Sequence, residues 1–324
     1  MIESKKEPEN LIWEQFVCSR EITSENLLKI EHAISTIPKD FAMPFNSFVL
    51  AMRGISDAVC LPFTFSMRQS FQLHERVNHL NLIYKHEKAG PLPNETREET
   101  IDRISMLASK ELSEMRKDWI NNKKLTDRIL KEISDNLLFN IDGKSNDEGA
   151  KEIRYQALVS IWSALEVLLK DELILIFNKY PTLTKQLIDH EQAKKHFFIP
   201  KLDLDVLESY CFDLNGKMGD LIFKSRDVSD LVALKYATKA LFGNSGIYNI
   251  LNDEDIRLLN LQRHLIVHKR GICDEKYSSS SNDRTILGEN IKVSPASLIK
   301  YFQKVSNAGL LMLNAVKSIT NSTS

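Results

Sequence analysis

The fold class is decided by AKEIRYQALVSIWSALEVLLKDELILIFNKY, residues 150–180. Its apolar residues recur every three or four positions, as on one face of an α-helix. The repeating positions include Ala157, Leu158, Ile161, Leu165, Leu168, Leu169 and Ile176. Pro181 follows directly and cannot continue a helix. The stretch therefore predicts one long amphipathic helix that ends at Tyr180.

The rest of the C-terminal half is also typical of helices. Helical periodicity and end signals predict further helices over residues 184–197, 229–242, 253–270 and 294–319. Residues 201–227 are ambiguous, with Asp203 near a possible helix cap, and residues 276–292 are expected to form a mobile loop because they contain SSSSND. Four or five helices of this kind predict an antiparallel bundle with insertions.

The N-terminal half is predicted to be helical as well. Helices are expected over residues 24–37, capped by Thr23 or Ser24, over 71–87, and over 95–139 as one long or two shorter helices. The apolar segment 41–71 contains Pro44, Gly54 and Pro62, and its sequence is compatible with either short helices or strands.

A polar, turn-rich stretch, DGKSNDEG at residues 142–149, separates the two halves. We interpret it as a domain boundary or a long surface loop, with a helical N-terminal domain over residues 1–148 and a helical bundle over 149–324. The chain has only 11 glycines and 9 prolines, which is few for the many turns of an all-β protein. The sequence therefore predicts an all-α protein of two domains.

Composition narrows the functional classes. The 324 residues carry 43 basic and 44 acidic side chains, for a formal net charge of -1, so a nucleic-acid surface has to be a local patch. The four cysteines, Cys18, Cys60, Cys211 and Cys273, form no C-x-x-C pair. We therefore expect neither a zinc site nor a disulfide framework, as suits a reducing compartment.

Membrane and cofactor signals are not found in the sequence. The first ten residues are polar, and the apolar stretch 157–177 is broken by four charged side chains, Glu166, Lys170, Asp171 and Glu172. The chain contains no phosphate-binding loop of the Walker type and no G-x-G-x-x-G. We expect a cytoplasmic protein that has no membrane span and needs no cofactor.

The stretch that carries chemistry is LQRHLIVHKRG, residues 261–271. His264 and His268 are four residues apart and share one face of a helix. Arg263 lies about 140° around the helix from His268, so the two side chains meet only through the length of arginine, a frayed last turn or a partner subunit. Histidine can remove a proton from a 2′-hydroxyl, and the arginine fork matches phosphate oxygens. These residue types permit metal-free cleavage of RNA.

An ordinary structural explanation also fits these residues. A helix that ends in His-Lys-Arg-Gly has a favourable C-terminus, and a histidine beside leucines is often a hydrogen-bonded core residue. Elsewhere, the Asp203 and Asp205 pair resembles a metal carboxylate pair, but it fits a helix-capping turn better. We expect no metal site.

The order Arg263-His264-x-x-x-His268 resembles the R-x(4–6)-H motif of the HEPN superfamily. The surrounding RHLIVHKRGICDEKY is similar to the pattern of that superfamily, and IWSALE at residues 161–166 resembles the start of its first long helix. The resemblance covers roughly residues 149–320. It departs from the compact members of the superfamily by the insertion of residues 201–250, and the N-terminal half resembles no family that we can name.

The resemblance implies a metal-independent endoribonuclease that forms a homodimer with a composite active site. In that picture His268 acts as general base or acid, Arg263 binds the scissile phosphate, and His264 orients it or assists. Lys269 and Arg270 are candidates for further phosphate contacts or form a solvated helix end. Glu166 is a candidate for holding the arginine or is an ordinary salt-bridge residue.

The family further implies a toxin or an anti-phage effector, in which the N-terminal region senses a trigger or binds a regulatory or antitoxin protein. Two alternatives stay open. A non-catalytic HEPN scaffold would bind nucleotide, RNA or a partner protein with the same bundle. A purely structural helical interaction protein would use Arg263 and His268 as ordinary helix-end residues.

Overall fold

The protein is built from α-helices. The computed structural model describes residues 16–17, 22, 24–119, 122–141, 144–197, 202–224, 231–283 and 285–322. Within these ranges the helices are α1 (Glu25–Ile34), α2 (Lys39–Glu87), α3 (Arg97–Trp119), α4 (Lys123–Ile141), α5 (Lys144–Lys179), α6 (Thr184–Asp189), α7 (Leu204–Ser209), α8 (Met218–Lys224), α9 (Leu231–Phe242), α10 (Gly246–Leu251), α11 (Glu254–Lys269), α12 (Glu275–Ser280) and α13 (Pro295–Ser322). One isolated antiparallel bridge joins Ile272 and Asn290, and the described ranges contain no β-strand. The expected all-α class is confirmed.

Helix α2 is the largest local departure from the sequence-based expectation. A single helix of 49 residues runs through Pro44, Gly54 and Pro62. Its first half has buried side chains at steps of three and four residues, namely Phe41, Phe45, Phe48, Met52, Ser56 and Val59. Burying one large apolar side chain contributes roughly 1.5–3 kcal/mol, so several of them outweigh the ~3 kcal/mol cost of an interior proline.

The predicted boundary at residues 142–149 is wrong in its local structure, because residues 144–149 belong to helix α5. The chain does divide near this point. Of the described residues, the first compact unit holds those up to Cys18 together with Cys60–Ala150, and the second holds those in Ser19–Val59 and Lys151–Ser324. The segment 24–59 thus packs with the C-terminal half, not in the predicted N-terminal domain 1–148.

Helix α1 explains why the segment 24–59 belongs to the second unit. It packs against α13, and its buried side chains are Leu27, Ile30 and Ile34. At this contact Gly309 of α13 comes so close to α2 that a methyl group there would lie 2.5 Å from Phe48 Cε1. The amphipathic pattern of the sequence predicts a helix here, but the pattern alone does not identify its partner.

The first unit is organised around two apolar clusters. One contains Leu125, Ile129 and Ile133 of α4 with Phe16 and Ala150, and Phe63, Met67, Phe71 and Trp119 pack against it. The other contains Leu82 of α2 with Ala108 and Leu112 of α3. Helix α3 ends at Trp119 and α4 begins at Lys123. Residues 95–139 thus contain two helices, which resolves the alternative that the sequence left open.

Most predicted helix ends are confirmed within the described residues. Ser24 caps α1 by accepting a hydrogen bond from Asn26 N–H at 3.2 Å, and Asp203 caps α7 by accepting one from Val206 N–H at 3.0 Å. The helix expected over 184–197 is broken into α6 and a short 3-10 helix, and the loop expected over 276–292 contains most of α12. Residues 1–10, Cys18, Thr23 and 225–230 lie outside the described residues.

Helix α2 is also the one helix in the described ranges whose length and composition would suit a membrane span. Its most apolar window is 22% buried. Core helices of soluble proteins meet the same test, so this observation by itself is weak evidence.

A carboxyl group is buried in the centre of helix α5. Glu172 is 0% exposed among apolar neighbours along the helix such as Leu168, Leu169, Leu173 and Ile176. Neither of its oxygens has a hydrogen-bond partner in the described part of the chain. Burial raises the pKa of Glu172 to about 9, and the nearby Asp171 carboxylate adds to the rise. The side chain is therefore a neutral acid at pH 7, at a cost to stability.

The attachment of α1 and α2 to α13 can be tested with two glycines in helix interiors. Gly309→Ala should lower the free energy of unfolding by roughly 1–3 kcal/mol, because the methyl group has to displace the Phe48 ring. Gly54→Ala is the matched control, because nothing lies within 4 Å of its Cβ position. It should stabilise α2 by roughly 0.5–1 kcal/mol. Denaturant unfolding measures both, and equal effects would contradict this packing.

Glu172→Gln should stabilise the protein above neutral pH. The carboxyl releases its proton near pH 4.5 when unfolded and near pH 9 when folded, so folding takes up a proton between these values. As the pH rises through that window, this group alone should lower the free energy of unfolding by about 1.4 kcal/mol per pH unit. The variant should lose that slope in denaturant titrations, whereas Glu152→Gln, at an exposed site on α5, should keep it. An unchanged slope in Glu172→Gln would contradict the burial of a neutral acid.

Candidate functional site

Helix α11 carries the predicted motif and has well-formed ends. Asp253 caps its N-terminus by accepting a hydrogen bond from Asp255 N–H at 2.9 Å. At the other end Arg270, with φ of 54°, is the first left-handed residue, and Gly271 follows with φ of 79°. The Gly271 N–H donates to the Leu265 carbonyl at 3.0 Å, which closes the helix. The cap thus begins one residue before the glycine predicted from the sequence.

The two faces of α11 have different roles. The buried face consists of Ile256, Leu259, Gln262, Leu265 and Ile266. Arg263, His264 and His268 lie on the remaining face, where His264 and His268 are exposed. The helix stays regular through Lys269, so its last turn is not frayed at the motif. Arg263 and His268 project from it about 140° apart.

The motif side chains meet at one cavity of about 370 Å³. Its titratable lining side chains are Arg263, His264, His268, Asp274, Lys276 and Tyr277. The imidazole centroids of His264 and His268 are 4.6 Å apart, with an angle of 51° between the rings. The structure therefore brings together the three residues predicted to be catalytic.

Glu166 lies beneath the arginine, on helix α5. Its Oε2 accepts a hydrogen bond from Trp162 Nε1 at 2.8 Å and is 3.7 Å from Arg263 Nη2. The exposed fractions are 22% for the Arg263 side chain and 16% for that of Glu166. The buried Arg263 Nε has no hydrogen-bond partner in the described ranges. The guanidinium is thus oriented by a carboxylate, and its Nε lies buried.

Lys269 and Arg270, the candidates for further phosphate contacts, lie beside the cavity and do not line it. Lys269 is exposed, and its Nζ is 4.0 Å from Asp274 Oδ2. Arg270 is exposed at the left-handed helix end. Behind this end, the ring of Tyr155 would be only 2.5 Å from a methyl group at Gly271. The close approach explains why a glycine follows the arginine.

The second wall of the cavity comes from a segment that the sequence predicted to be a mobile loop. Asp274 caps helix α12 by accepting a hydrogen bond from Tyr277 N–H at 2.8 Å. Lys276 is exposed at the cavity and Tyr277 is buried. The signal that predicts this turn is Asp274, a favoured N-cap residue, followed by the acidic Glu275 in the first turn. The serine-rich run that comes after it favours a loop instead.

A buried hydrogen-bond network ties α12 to α11 and α13. Tyr277 Oη donates to Asp283 Oδ2 at 2.6 Å and accepts from Gln262 Nε2 at 3.2 Å. Gln262 Oε1 in turn accepts from Tyr301 Oη at 3.0 Å. Gln262, Tyr277 and Tyr301 are each 3% exposed or less. Because a buried polar group left unpaired costs roughly 1–3 kcal/mol, the network holds the second wall in place.

The charges around the cavity disfavour protonation of His264. Partial burial lowers its pKa below the usual 6.5, and the positive charges of His268, Lys276 and Arg263 lower it further. Asp274 opposes this effect. His264 is therefore a neutral imidazole near pH 7 and can accept a proton. No group of three or more histidine, cysteine or acidic side chains that suits a metal ion occurs in the described ranges.

Comparison of the chain with protein-family models, with curated proteins and with solved structures gave no match.

The field at the cavity can be tested by NMR titration of the His264 imidazole. We expect its pKa below 6.5, a rise in Lys276→Gln and a further fall in Asp274→Asn, since these variants remove a positive and a negative charge. Lys292→Gln, at an exposed site that does not line the cavity, should leave the value unchanged. A pKa at or above 6.5 in the unmodified protein would show that the cavity is less crowded with positive charge than described.

Proposed function

We propose that this protein is a metal-independent endoribonuclease of the HEPN type. The observation that carries the proposal is the convergence of Arg263, His264 and His268 on one cavity at the outer face of α11. The resemblance of these residues to the R-x(4–6)-H motif and the all-helical bundle around them support it. The alternative view of the same residues, as an ordinary helix end, does not require a cavity there.

The proposed reaction needs two proton transfers, and the cavity has two adjacent imidazoles. One histidine removes the proton of a ribose 2′-hydroxyl, and the 2′-oxygen attacks the neighbouring phosphorus. The bond from phosphorus to the 5′-oxygen breaks, and this oxygen takes a proton from the other imidazole in its protonated form. The products carry a 2′,3′-cyclic phosphate and a 5′-hydroxyl. The neutral His264 suits the part of the base when His268 acts as the acid. When His268 is the base, His264 orients the phosphate.

Arg263 stabilises the negative charge that develops on the phosphate oxygens. Its guanidinium stays charged at every working pH and can donate two parallel hydrogen bonds. The contact with Glu166 at 3.7 Å is too long for a hydrogen bond, so it orients the group electrostatically without occupying the N–H donors. The Arg263 side chain is 22% exposed and lines the cavity, so a phosphate bound there would contact its exposed part.

The biological role follows from the resemblance to the HEPN superfamily. We infer a cytoplasmic toxin or anti-phage effector that acts on RNA as a homodimer, in which both copies of the motif face one cleft. Lys269 and Arg270, at the rim, are placed to contact more distant phosphates. A regulatory or antitoxin protein would hold the nuclease in check until it is needed.

Purified protein incubated with bulk tRNA tests the chemistry. His268→Ala and Arg263→Ala should each lower the cleavage rate by at least about 100-fold, the range seen for acid–base and oxyanion groups. His32→Ala, at an exposed histidine of α1 away from the cavity, should cleave as the unmodified protein does. Cleavage should continue in excess EDTA, and the fragments should end in 2′,3′-cyclic phosphates.

Expression in cells adds a second readout for the same variants. The unmodified protein should arrest growth and fragment RNA, and His268→Ala should do neither while remaining folded. If the purified protein cleaves no RNA at high concentration but still binds it, the non-catalytic scaffold is the better assignment. If neither cleavage nor binding changes in His268→Ala or Arg263→Ala, both residues are structural.

A further inference from the structure

The cavity has a second cation, Lys276, on helix α12. Lys276 lies between the capping Asp274 and the buried Tyr277, and it is exposed at the cavity. Its neighbours on both sides are fixed, Asp274 by the hydrogen bond from Tyr277 N–H and Tyr277 by the network that includes Gln262. The backbone of Lys276 is therefore held in place, and only its flexible side chain has to be ordered by a ligand.

The lysine also has no carboxylate partner. Within the described residues, no acidic oxygen lies within 4.0 Å of Lys276 Nζ, whereas Arg263 faces Glu166 and Lys269 faces Asp274. Its charge nevertheless acts on the cavity, since it contributes to lowering the pKa of His264. A cation without a carboxylate partner on a fixed segment favours an anion beside it in the cavity.

A single phosphate group does not make full contact with both cations, Arg263 and Lys276. Arg263 already matches one phosphate group with its guanidinium, and a lysine is a point charge that binds a separate oxygen. The cavity of about 370 Å³ is within the size range of sites that hold a small ligand such as a nucleotide. A polynucleotide strand supplies successive phosphates on one chain, so its neighbouring phosphate would lie near the second wall.

We propose that Lys276 and the turn formed by residues 274–277 are a subsite for the phosphate next to the scissile one in single-stranded RNA. This inference rests on the proposed ribonuclease function, because the scissile phosphate is assigned to Arg263 on that basis. The subsite binds and aligns the strand, and Lys276 takes no part in proton transfer. Helix α12 thus determines how the RNA lies across the histidines.

Binding is measured with full-length His268→Ala, which keeps the RNA intact, and a labelled single-stranded RNA oligonucleotide. Adding Lys276→Ala should weaken binding about tenfold, and the slope of log K against log salt should fall by roughly 0.7, the value for one lost phosphate contact on a single strand. Lys276→Arg should restore most of the affinity and most of the salt slope. Lys292→Ala, which removes an exposed lysine outside the cavity, should change neither.

Kinetics and the anchoring residue supply a second line of evidence. In the active protein, at a pH above the His264 pKa of both forms, Lys276→Ala should raise KM severalfold and leave kcat within about twofold, as expected for a residue that binds substrate and transition state alike. Tyr277→Phe keeps the lysine but removes the hydroxyl that bonds to Asp283 and Gln262. It should reproduce part of the loss in RNA binding.

The outcomes separate this inference from the proposed function. If RNA is cleaved and Lys276→Ala matches Lys292→Ala in affinity and salt slope, the subsite is wrong and the ribonuclease assignment stands. If no RNA is cleaved but Lys276→Ala still weakens binding with the lower slope, the subsite stands and the catalytic proposal fails. If Lys276→Ala weakens the binding of a mononucleotide such as AMP as much as that of the oligonucleotide, the lysine binds a free nucleotide. That result overturns the assignment to an RNA strand.

Discussion

The candidate site depends on the burial of one face of helix α11. Gln262 belongs to that face and precedes Arg263 by one residue, so the two side chains point about 100° apart. Packing of Gln262 and its apolar neighbours therefore sets the direction in which Arg263, His264 and His268 project. Residues on a core helix are held more closely than residues on a loop, and the motif consequently needs few contacts of its own to stay in position.

Gln262 has a second consequence, because a glutamine in a core position destabilises the fold unless its amide is paired. Here Nε2 donates to Tyr277 and Oε1 accepts from Tyr301. Through these bonds the position of α12 depends on α11, the helix that carries the motif. The two walls of the cavity are thus joined through buried side chains, and a change that loosens one wall is transmitted to the other by a short chain of buried hydrogen bonds.

Much of the fold could be predicted from local signals. The periodicity of residues 150–180 and the caps at Ser24 and Asp203 depend on neighbours within one helix, so a single sequence contains them. The continuity of α2 through Pro44 depends instead on apolar burial along the first half of the helix. Turn propensity is a local free energy, and the free energy of tertiary burial exceeds it. The residues of the predicted turn contain no signal of that burial.

The same distinction applies to the site. The motif residues could be identified because a helix fixes their relative directions, whereas Glu166 is almost a hundred positions away in sequence and meets Arg263 only through packing of α5 beside α11. The position of the second wall also depends on distant contacts, since Tyr277 bonds to Gln262 of α11, and Gln262 bonds to Tyr301 of α13. Contacts between distant helices decide which exposed polar residues face a common cavity, and no spacing rule within one helix contains that information.

The pairing of Arg263 with Glu166 also bears on the protonation of the histidines. An arginine, a lysine and two histidines around one cavity repel one another when all are charged. A carboxylate at 3.7 Å offsets part of the charge of Arg263 without taking up its donors. The remaining positive charge, with burial, keeps the pKa of His264 low. The crowding that favours an anionic ligand therefore also keeps an imidazole neutral, which is the state that a proton acceptor requires.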